Sequence, residues 1–159
     1  MDKDKLRGTY SAARKNMSRT DVLQKSQQIA DLFLARFAYF PRHILSYQPI
    51  TKENEIDPSY IEQLYPEVVI TKVPTGRYST VKSGAFDMIL VPMIIGDYEC
   101  HRLGFGGGWY DRFLSSQPNA KKIGLCYEDC IVSALPSERH DIALDYIVTE
   151  KRVITRRVE

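Results

Sequence analysis

The feature that most restricts the fold of this chain is the uninterrupted apolar run Met-Ile-Leu-Val at residues 88–91. Successive side chains of a β-strand point to opposite faces of its sheet, so a strand that is apolar at every position must be covered on both faces. Further strands are predicted at residues 43–47, 68–73, 121–127 and 146–149. Because helical segments alternate with these strands, we predict an α/β fold: a single Rossmann-like domain over residues 1–159, with three α/β/α layers and a mostly parallel sheet.

A first helix is predicted over residues 3–16, because side chains of similar character repeat there at offsets of four and seven. One edge of this helix is basic and consists of Lys3, Arg7 and Arg14. Gly8 lies inside the helix and costs about 1 kcal/mol relative to alanine. The helix is therefore expected to depend on docking against the rest of the domain.

Two further helix starts are marked by capping residues. Ser18 followed by Asp21 resembles an acidic capping box, and the apolar residues that repeat behind it predict a helix that ends near Phe37. Asp57-Pro58 predicts another start, with the carboxylate as N-cap and the proline at the first helical position. Residues 74–84 are rich in turn-forming residues and are predicted to form a loop.

The composition excludes several classes of protein. Hydrophobic residues make up 43% and charged residues 26% of the chain, as in an ordinary globular domain. A net charge of +2 is too small to predict nucleic-acid binding, and the basic residues of the tail at 151–157 are expected to be solvated. We find no signal peptide and no run long enough to span a membrane. A cytoplasmic protein without membrane or nucleic-acid partners is expected, and we expect it to be a monomer.

The three cysteines are Cys100, Cys126 and Cys130, and none forms a CxxC pair. Reduced, buried thiols are expected. A zinc site built from Cys126, Cys130 and His140 is disfavoured, because the spacing is wrong and no fourth ligand is evident.

Residues 102–112, Arg-Leu-Gly-Phe-Gly-Gly-Gly-Trp-Tyr-Asp-Arg, carry the clearest chemical signal. Four glycines within five residues leave backbone N–H groups accessible to an anion, and the helix predicted behind them adds a partial positive charge. Arg102 can form paired hydrogen bonds to phosphate oxygens, whereas Asp111 would repel a polyphosphate unless a cation lay between them. The segment therefore predicts a phosphate site with Mg²⁺ at Asp111.

A purely structural interpretation of this segment also exists. Ordinary turns are rich in glycine, and an aspartate near a helix start is commonly a cap. The spacing fits neither the P-loop pattern GxxxxGK[ST] nor the GxGxxG pattern. The glycines alone leave both interpretations open, and the flanking Arg102 and Asp111 favour phosphate binding.

The same residues resemble the RLGxGxGxYDR signature of the 5-formyltetrahydrofolate cyclo-ligase family, and residues 87–92 resemble the strand that leads into it. The resemblance extends to Lys-Asp-Lys-Leu-Arg at 3–7, to Asn-Glu-Ile-Asp at 54–57, to Leu135-Pro136, to His140-Asp141 and to residues 147–150. Nearly the whole chain is covered, in the order in which the family carries these elements.

The resemblance implies roles for individual residues. It assigns ATP binding to Lys3, Arg7, Arg14, Arg102, Leu103, Gly104, Phe105, Gly106, Gly107, Gly108, Trp109 and Tyr110. It assigns folate binding to Glu55, Gly104, Phe105, Gly106, Gly107, Gly108 and Tyr110. It implies that Asp111 and Asp141 coordinate Mg²⁺, and that Arg102, Tyr110 and Asp111 are catalytic. Each residue taken singly has an ordinary structural explanation, and their joint occurrence favours the site.

The implied reaction uses ATP to activate the formyl oxygen of 5-formyltetrahydrofolate, so that the N10 amine can close the 5,10-methenyl bridge with release of ADP and phosphate. Such a phosphoryl transfer depends on position and charge neutralisation, so no side-chain nucleophile is required.

Two departures from the family leave other functions open. Gly107 stands where many relatives have a lysine, and the segment 66–86 is shorter than is usual. The alternative function is a nucleotide- or folate-binding homologue without turnover. A sugar-phosphate isomerase is a further possibility, but such an enzyme needs a dedicated base and no ATP.

Overall fold

The computed structural model describes residues 2–37, 41–74 and 84–156, so most of the predicted loop at 74–84 lies outside the described residues. The helices of the described part are α1 Lys3–Lys15, α2 Arg19–Arg36, α3 Ser59–Glu62 and α4 Trp109–Ser115. Its strands are β1 His43–Tyr47, β2 Val69–Val73, β3 Met88–Pro92, β4 Ile95–Asp97, β5 Arg102–Leu103, β6 Lys121–Leu125, β7 Ile131–Val132, β8 Tyr146–Val148 and β9 Val153–Thr155. Among these helices, none combines the length and the apolarity needed to cross a membrane.

Within the described residues, six strands form one sheet in the order β2-β1-β3-β6-β8-β9. The first five pair in parallel, and β9 pairs with β8 in the antiparallel sense. The residues of β3 from Met88 to Val91 are fully buried, as are Ile44 and Leu45 of β1. Adjacent strand residues face opposite sides, so the sheet is covered on both faces. The predicted α/β class and the mostly parallel sheet are confirmed.

The order of the parallel strands reverses between β1 and β3. From β1 the chain moves outward to β2, whereas from β3 it moves in the other direction through β6 to β8. The three central strands begin at nearly the same height in the sheet, since Met88 at the start of β3 pairs with Ile44 of β1 on one side and with Lys121 of β6 on the other. Loops that leave neighbouring strands at such a reversal diverge, and the crevice between them is where open α/β sheets bind ligands. The loops after β1 and β3 are therefore the expected borders of a site.

The first helix docks on a second, smaller core. Leu6 of α1 is buried with Ile94, Ile95, Leu103 and Leu135, which lie on or near a small sheet of strand order β5-β4-β7. This docking provides the tertiary stabilisation that a helix with an internal glycine requires.

The small sheet was not predicted. Its strands contain two or three residues each, and so few residues cannot show a hydrophobic periodicity. Strand β5 pairs with β4 in the antiparallel sense and β7 pairs with β4 in parallel. Because β4 follows β3 almost directly, this pairing turns Arg102 and the glycines behind it back toward the carboxyl end of β3.

Of the two predicted helix starts, one is confirmed and one is displaced. The Ser18 hydroxyl accepts a hydrogen bond from the Asp21 N–H at the start of α2. The start predicted at Asp57-Pro58 is one residue too early, because Pro58 is the capping residue and α3 begins at Ser59. The Asp57 carboxylate still accepts the Ser59 N–H, at 2.9 Å.

Two glycine substitutions test this packing in opposite directions. A Cβ at Gly124 of β6 would lie 2.5 Å from Leu144 Cδ1 and 2.7 Å from Met93 Sδ, so Gly124→Ala should destabilise the protein by about 1–3 kcal/mol. Gly8 is exposed within α1 and a Cβ there meets nothing within 4 Å, so Gly8→Ala should stabilise by about 1 kcal/mol. Urea denaturation measures both, and equal stabilities of the two variants would contradict the core described here.

Candidate active site

A cleft of about 900 Å³ lies at the predicted position, between the loops that leave β1 and β3. The chain supplies its walls from five places: α1, the loop after β1, the end of β3, the segment 102–112, and the turn before β8. The residues that line it are Lys3, Arg7, Glu55, Pro92, Met93, all of residues 102–112, Ser115, Glu138, His140, Asp141 and Ile142.

The residues predicted for the site gather in this cleft, with the exception of Arg14. Arg14 is 3% exposed, and its Nη1 donates to the Met93 carbonyl oxygen at 3.1 Å. Its Cζ lies 5.9 Å from the centre of the Phe105 ring. Arg7 and Arg14 share a helix face but are separated by about 10 Å along the axis. The position of Arg14 behind the cleft wall gives no support to the predicted contact with ATP.

The glycine segment presents a row of unused backbone donors. Within the described residues, the N–H groups of residues 104–108 donate to no protein acceptor. The segment is held instead through its carbonyl oxygens. Gly104 accepts from Arg7 Nε at 2.7 Å, and Gly107 accepts from Arg112 Nη2 at 3.4 Å. Backbone N–H groups without a protein acceptor, beside arginine side chains, suit the binding of an anion.

Glycine is favoured at two of these positions, by a close neighbour at Gly104 and by the backbone conformation at Gly106. A Cβ at Gly104 would collide with the Arg102 guanidinium. Gly106 has φ +97°, and a Cβ there would lie 3.3 Å from Arg7 Cζ. The absence of side chains at these positions leaves room for both guanidinium groups beside the segment.

Arg102 is fixed at the base of the cleft by its surroundings. Its Nη2 donates to the Pro92 carbonyl oxygen at 3.4 Å, and its Cζ lies 5.2 Å from the centre of the Tyr110 ring. Tyr110 is itself buried at the start of α4, and the preceding Trp109 stacks on Phe113 with ring centres 4.8 Å apart. Aromatic packing thus orients a guanidinium and a tryptophan along one wall.

The two predicted metal ligands lie at neighbouring positions. Asp111 Oδ1 accepts the Ile142 N–H at 3.3 Å, and Ile142 directly follows Asp141. Asp141 Oδ2 accepts from Lys3 Nζ at 3.2 Å and from the Glu138 N–H at 2.8 Å. Partial burial acts to raise the pKa of Asp141, but these two donors outweigh it and hold the pKa below its ordinary value. Asp141 is therefore ionised at neutral pH.

This donor set suits a metal that arrives with a phosphate. No group of three or more His, Cys, Asp or Glu side chains able to hold a metal occurs in the described part of the chain. Mg²⁺ in nucleotide sites commonly takes one or two carboxylates and completes its octahedron with phosphate oxygens and water. Asp111 and Asp141 fit this arrangement, in which two carboxylates hold Mg²⁺ together with phosphate oxygens and water.

Glu55 supplies a buried carboxyl group to the cleft from the loop after β1. It is 4% exposed, and its Oε1 accepts the Ile50 N–H at 2.6 Å. Burial raises the pKa of Glu55 above its usual value, against the opposing effects of the Ile50 N–H and the Arg14 guanidinium.

Some residues of the cleft were not assigned a role from the sequence. Met93 follows β3, Arg112 closes the glycine segment, and Glu138 accepts the Asp141 N–H at 3.0 Å through its carbonyl oxygen. The spacing of three between Glu138 and Asp141 is compatible with a turn, but such spacings are too common to mark a site.

Sequence comparison decides the family. The sequence model of the 5-formyltetrahydrofolate cyclo-ligase family matches residues 70–150, just over half of the chain. The chain belongs to the 5-formyltetrahydrofolate cyclo-ligase family.

Individual relatives within the cyclo-ligase family match this chain to different extents. The 5-formyltetrahydrofolate cyclo-ligase of Mycolicibacterium smegmatis is 39% identical over 72 residues, which cover 45% of this chain and 37% of that protein. The Escherichia coli K12 enzyme of the same name is 36% identical over 69 residues, or 42% and 38% of the two chains. These matches therefore span well under half of either relative. The 5-formyltetrahydrofolate cyclo-ligase of Mycoplasma pneumoniae is 27% identical over 165 residues, covering 95% of this chain and all of that one.

Two solved structures in this family share the fold. A 5,10-methenyltetrahydrofolate synthetase from Mycoplasma pneumoniae superposes with a TM-score of 0.78 at 26% identity, over 94% of this chain and 99% of that one. The 5,10-methenyltetrahydrofolate synthetase of Aquifex aeolicus gives a TM-score of 0.80 at 26% identity, over 100% of this chain and 95% of that one.

The burial of Glu55 predicts a stability effect with a defined dependence on pH. Because the folded-state pKa lies above that of the unfolded chain, the stability contributed by the neutral carboxyl group is lost as the pH rises through the folded-state pKa. Glu55→Gln keeps an acceptor for the Ile50 N–H but carries no charge. Its Tm should exceed that of the wild type at neutral pH by a few degrees, since 1 kcal/mol corresponds to about 2–4 °C in a domain of this size.

The difference in Tm between Glu55→Gln and the wild type should disappear in acid, where Glu55 is protonated. Glu67→Gln, at an exposed position, is the matched control and should leave Tm unchanged at both pH values. A Glu55→Gln variant that is less stable than the wild type at neutral pH would show that the surroundings stabilise the charged form.

Proposed function

We propose that this chain catalyses the ATP- and Mg²⁺-dependent conversion of 5-formyltetrahydrofolate to 5,10-methenyltetrahydrofolate, with release of ADP and phosphate. The observation that carries the proposal is the row of N–H groups at residues 104–108 that have no acceptor in the described part of the chain, in a cleft also lined by Lys3, Arg7, Arg102, Asp111 and Asp141. Membership of the cyclo-ligase family supports the choice of substrates.

The phosphates of ATP would lie against the glycine segment. Its N–H groups have no protein acceptor among the described residues and can donate to phosphate oxygens, and Arg102 can bind such oxygens as a planar, paired donor. Arg7 is already held beside the same backbone, and Lys3 extends from the first turn of α1 into the cleft. These groups neutralise charge on the polyphosphate from several directions.

Asp111 and Asp141 would hold Mg²⁺ against the phosphates. The ion, when bound, neutralises charge on the transferring phosphoryl group. The Lys3 ammonium forms an ion pair with Asp141 Oδ2 at 3.2 Å. Binding of the metal nucleotide would therefore separate this ion pair and free Lys3 for a phosphate oxygen.

The folate would approach from the side of Glu55 and Tyr110. A pterin ring carries an amide-like N–H next to an amino group, and a carboxylate can accept hydrogen bonds from both at once. Glu55 lines the cleft with its carboxyl group shielded from bulk water, where such a paired contact gains strength. Tyr110 would border the ring from the opposite wall.

The reaction requires no side-chain nucleophile. The formyl oxygen on N5 would attack the γ-phosphorus of ATP, and the bond to the ADP oxygen would break. N10 would then attack the activated formyl carbon, lose its proton, and expel phosphate by cleavage of the carbon–oxygen bond. Fixed donors around the phosphoryl group and a fixed position for N10 are the contributions that the cleft can make.

Further properties remain predictions. We expect residues 1–159 to act as one domain, as a cytoplasmic monomer whose partner is the folate substrate. The short central segment at 66–86 does not by itself favour a binding protein without turnover, because the alignment with the Mycoplasma pneumoniae cyclo-ligase covers the whole of that chain.

The first test is turnover. Purified protein given 5-formyltetrahydrofolate, ATP and Mg²⁺ should produce the near-ultraviolet absorbance of the methenyl product together with an equal amount of ADP. Asp111→Asn should lower kcat by about 100-fold or more, because it weakens charge neutralisation at the phosphoryl group. Asp129→Asn, an exposed substitution outside the cleft, should behave as the wild type.

Each contrary outcome of this assay has a distinct meaning. Binding of both ligands without absorbance change or ADP would support a homologue without turnover. Full activity in Asp111→Asn would remove Asp111 from the proposed metal site.

The second test measures nucleotide binding alone. Trp109 is the single tryptophan of the chain and lines the cleft, so its fluorescence should change when ATP and Mg²⁺ bind. Arg7→Ala removes a charge-assisted contact and should weaken binding by about 10- to 100-fold. Lys5→Ala, in the same helix but outside the cleft, is the control and should bind as the wild type does. Equal affinities in all three proteins would place the nucleotide elsewhere.

A further inference from the structure

The turn that carries Glu55 is anchored from several sides. Its 3-10 turn, Thr51–Glu53, ends at Asn54, which has φ +55° in the left-handed region. The Tyr127 hydroxyl donates to the Asn54 carbonyl oxygen at 2.7 Å, and the Tyr47 hydroxyl donates to that of Ile56, also at 2.7 Å. Both backbone oxygens that flank Glu55 are thus held by buried tyrosines.

The Asn54 side chain adds a link to α1. Its Nδ2 donates to the carbonyl oxygens of Arg14, at 2.9 Å, and Met17, at 3.0 Å. Carbonyl groups at the end of a helix lack partners within the helix, so this amide serves as the cap for the last turn of α1. The amide therefore joins the turn of Glu55 to the last turn of α1 at Arg14 and to the residue just beyond the helix end at Met17.

The other half of α1 reaches the glycine segment. Arg7 Nε donates to the Gly104 carbonyl oxygen, and Lys3 reaches the Asp141 carboxylate. A helix is stiff along its axis, so α1 joins the wall assigned to phosphate with the turn that carries Glu55. The Asn54 side chain attaches α1 to the turn that carries Glu55.

Burial of the Glu55 carboxyl group works against this arrangement. The group is almost fully removed from solvent, which disfavours its charged form and would push the turn outward if the turn were loosely held. Asparagine tolerates the left-handed conformation, and glycine would tolerate it more easily. What glycine lacks is the amide that fastens the turn to α1.

We propose that Asn54 is a positioning residue for folate binding, which fixes the Glu55 carboxylate relative to the glycine segment by tying its turn to the end of α1. The inference rests on the proposed function, in which Glu55 contacts the pterin. Asn54 itself touches no substrate and acts through Glu55.

The test separates backbone conformation from the amide. Asn54→Gly keeps the left-handed backbone accessible and removes the hydrogen bonds to Arg14 in α1 and to Met17 just beyond it. It should raise KM for 5-formyltetrahydrofolate by about tenfold and leave KM for ATP within about twofold. Asn16→Gly is the matched control, since Asn16 caps the same helix end with an exposed side chain that makes no described hydrogen bond, and it should change neither KM.

A double-mutant cycle distinguishes positioning from a general loss of stability. If Asn54 acts through Glu55, Asn54→Gly should cause no further loss of folate affinity in a Glu55→Gln background. Additive losses, or a wild-type KM for folate in Asn54→Gly, would overturn the proposal. If Asn54→Gly does not fold, Asn54→Asp keeps the size of the side chain and its tolerance of the left-handed backbone but has no N–H to donate to the Arg14 and Met17 carbonyl oxygens, and wild-type folate affinity in that variant would equally overturn the proposal.

The proposed function can fail separately from this inference. Wild-type protein that neither binds 5-formyltetrahydrofolate nor forms the methenyl absorbance would overturn both. Wild-type protein that does both, with an unaltered Asn54→Gly variant, would overturn the role of Asn54 alone.

Discussion

The level, parallel pairing of β1, β3 and β6 is the constraint on which the rest of the structure depends. Parallel strands buried on both faces must be connected by crossovers, so their carboxyl ends share one edge of the sheet. The reversal of strand order between β1 and β3 then forces the two following loops apart. Glu55 comes from one loop and Met93 from the other, so the cleft is a direct consequence of how the sheet is wound.

A second level of organisation comes from the small sheet and α1. The short strands β4 and β5 return the chain to the carboxyl end of β3, and Leu6 docks α1 on the apolar side chains that surround them. Asp97, which is 1% exposed, accepts the Leu135 N–H at 2.9 Å and so fixes the segment that leads to Asp141. The cationic and anionic sides of the cleft are therefore held by elements outside the main sheet.

The charges of the site are placed at a cost to stability. The Glu55 carboxyl group and the Arg14 guanidinium are both almost fully buried, and burial of such groups is unfavourable unless their surroundings compensate. The compensation is partial: the Ile50 N–H donates to Glu55 and the Met93 carbonyl oxygen accepts from Arg14 Nη1, while Arg14 Nε and Nη2 have no hydrogen-bond partner among the described residues. This arrangement fixes the position of the Glu55 carboxyl group but does not maximise the stability of the fold.

The sequence by itself determined the α/β class and the position of the main strands, and it predicted a site at the segment 102–112, which lines the cleft. Each of these rests on a local pattern of apolar, capping or glycine residues. The sequence also predicted that Lys3 and Arg7 lie on one edge of the first helix. Tertiary structure alone decided that Arg14, on the same edge, lies behind the cleft, and that Asn54 joins α1 to the turn of Glu55. These features depend on how elements that are distant in sequence pack against each other. The hydrophobic periodicity and residue spacing of a single segment contain no information about such packing.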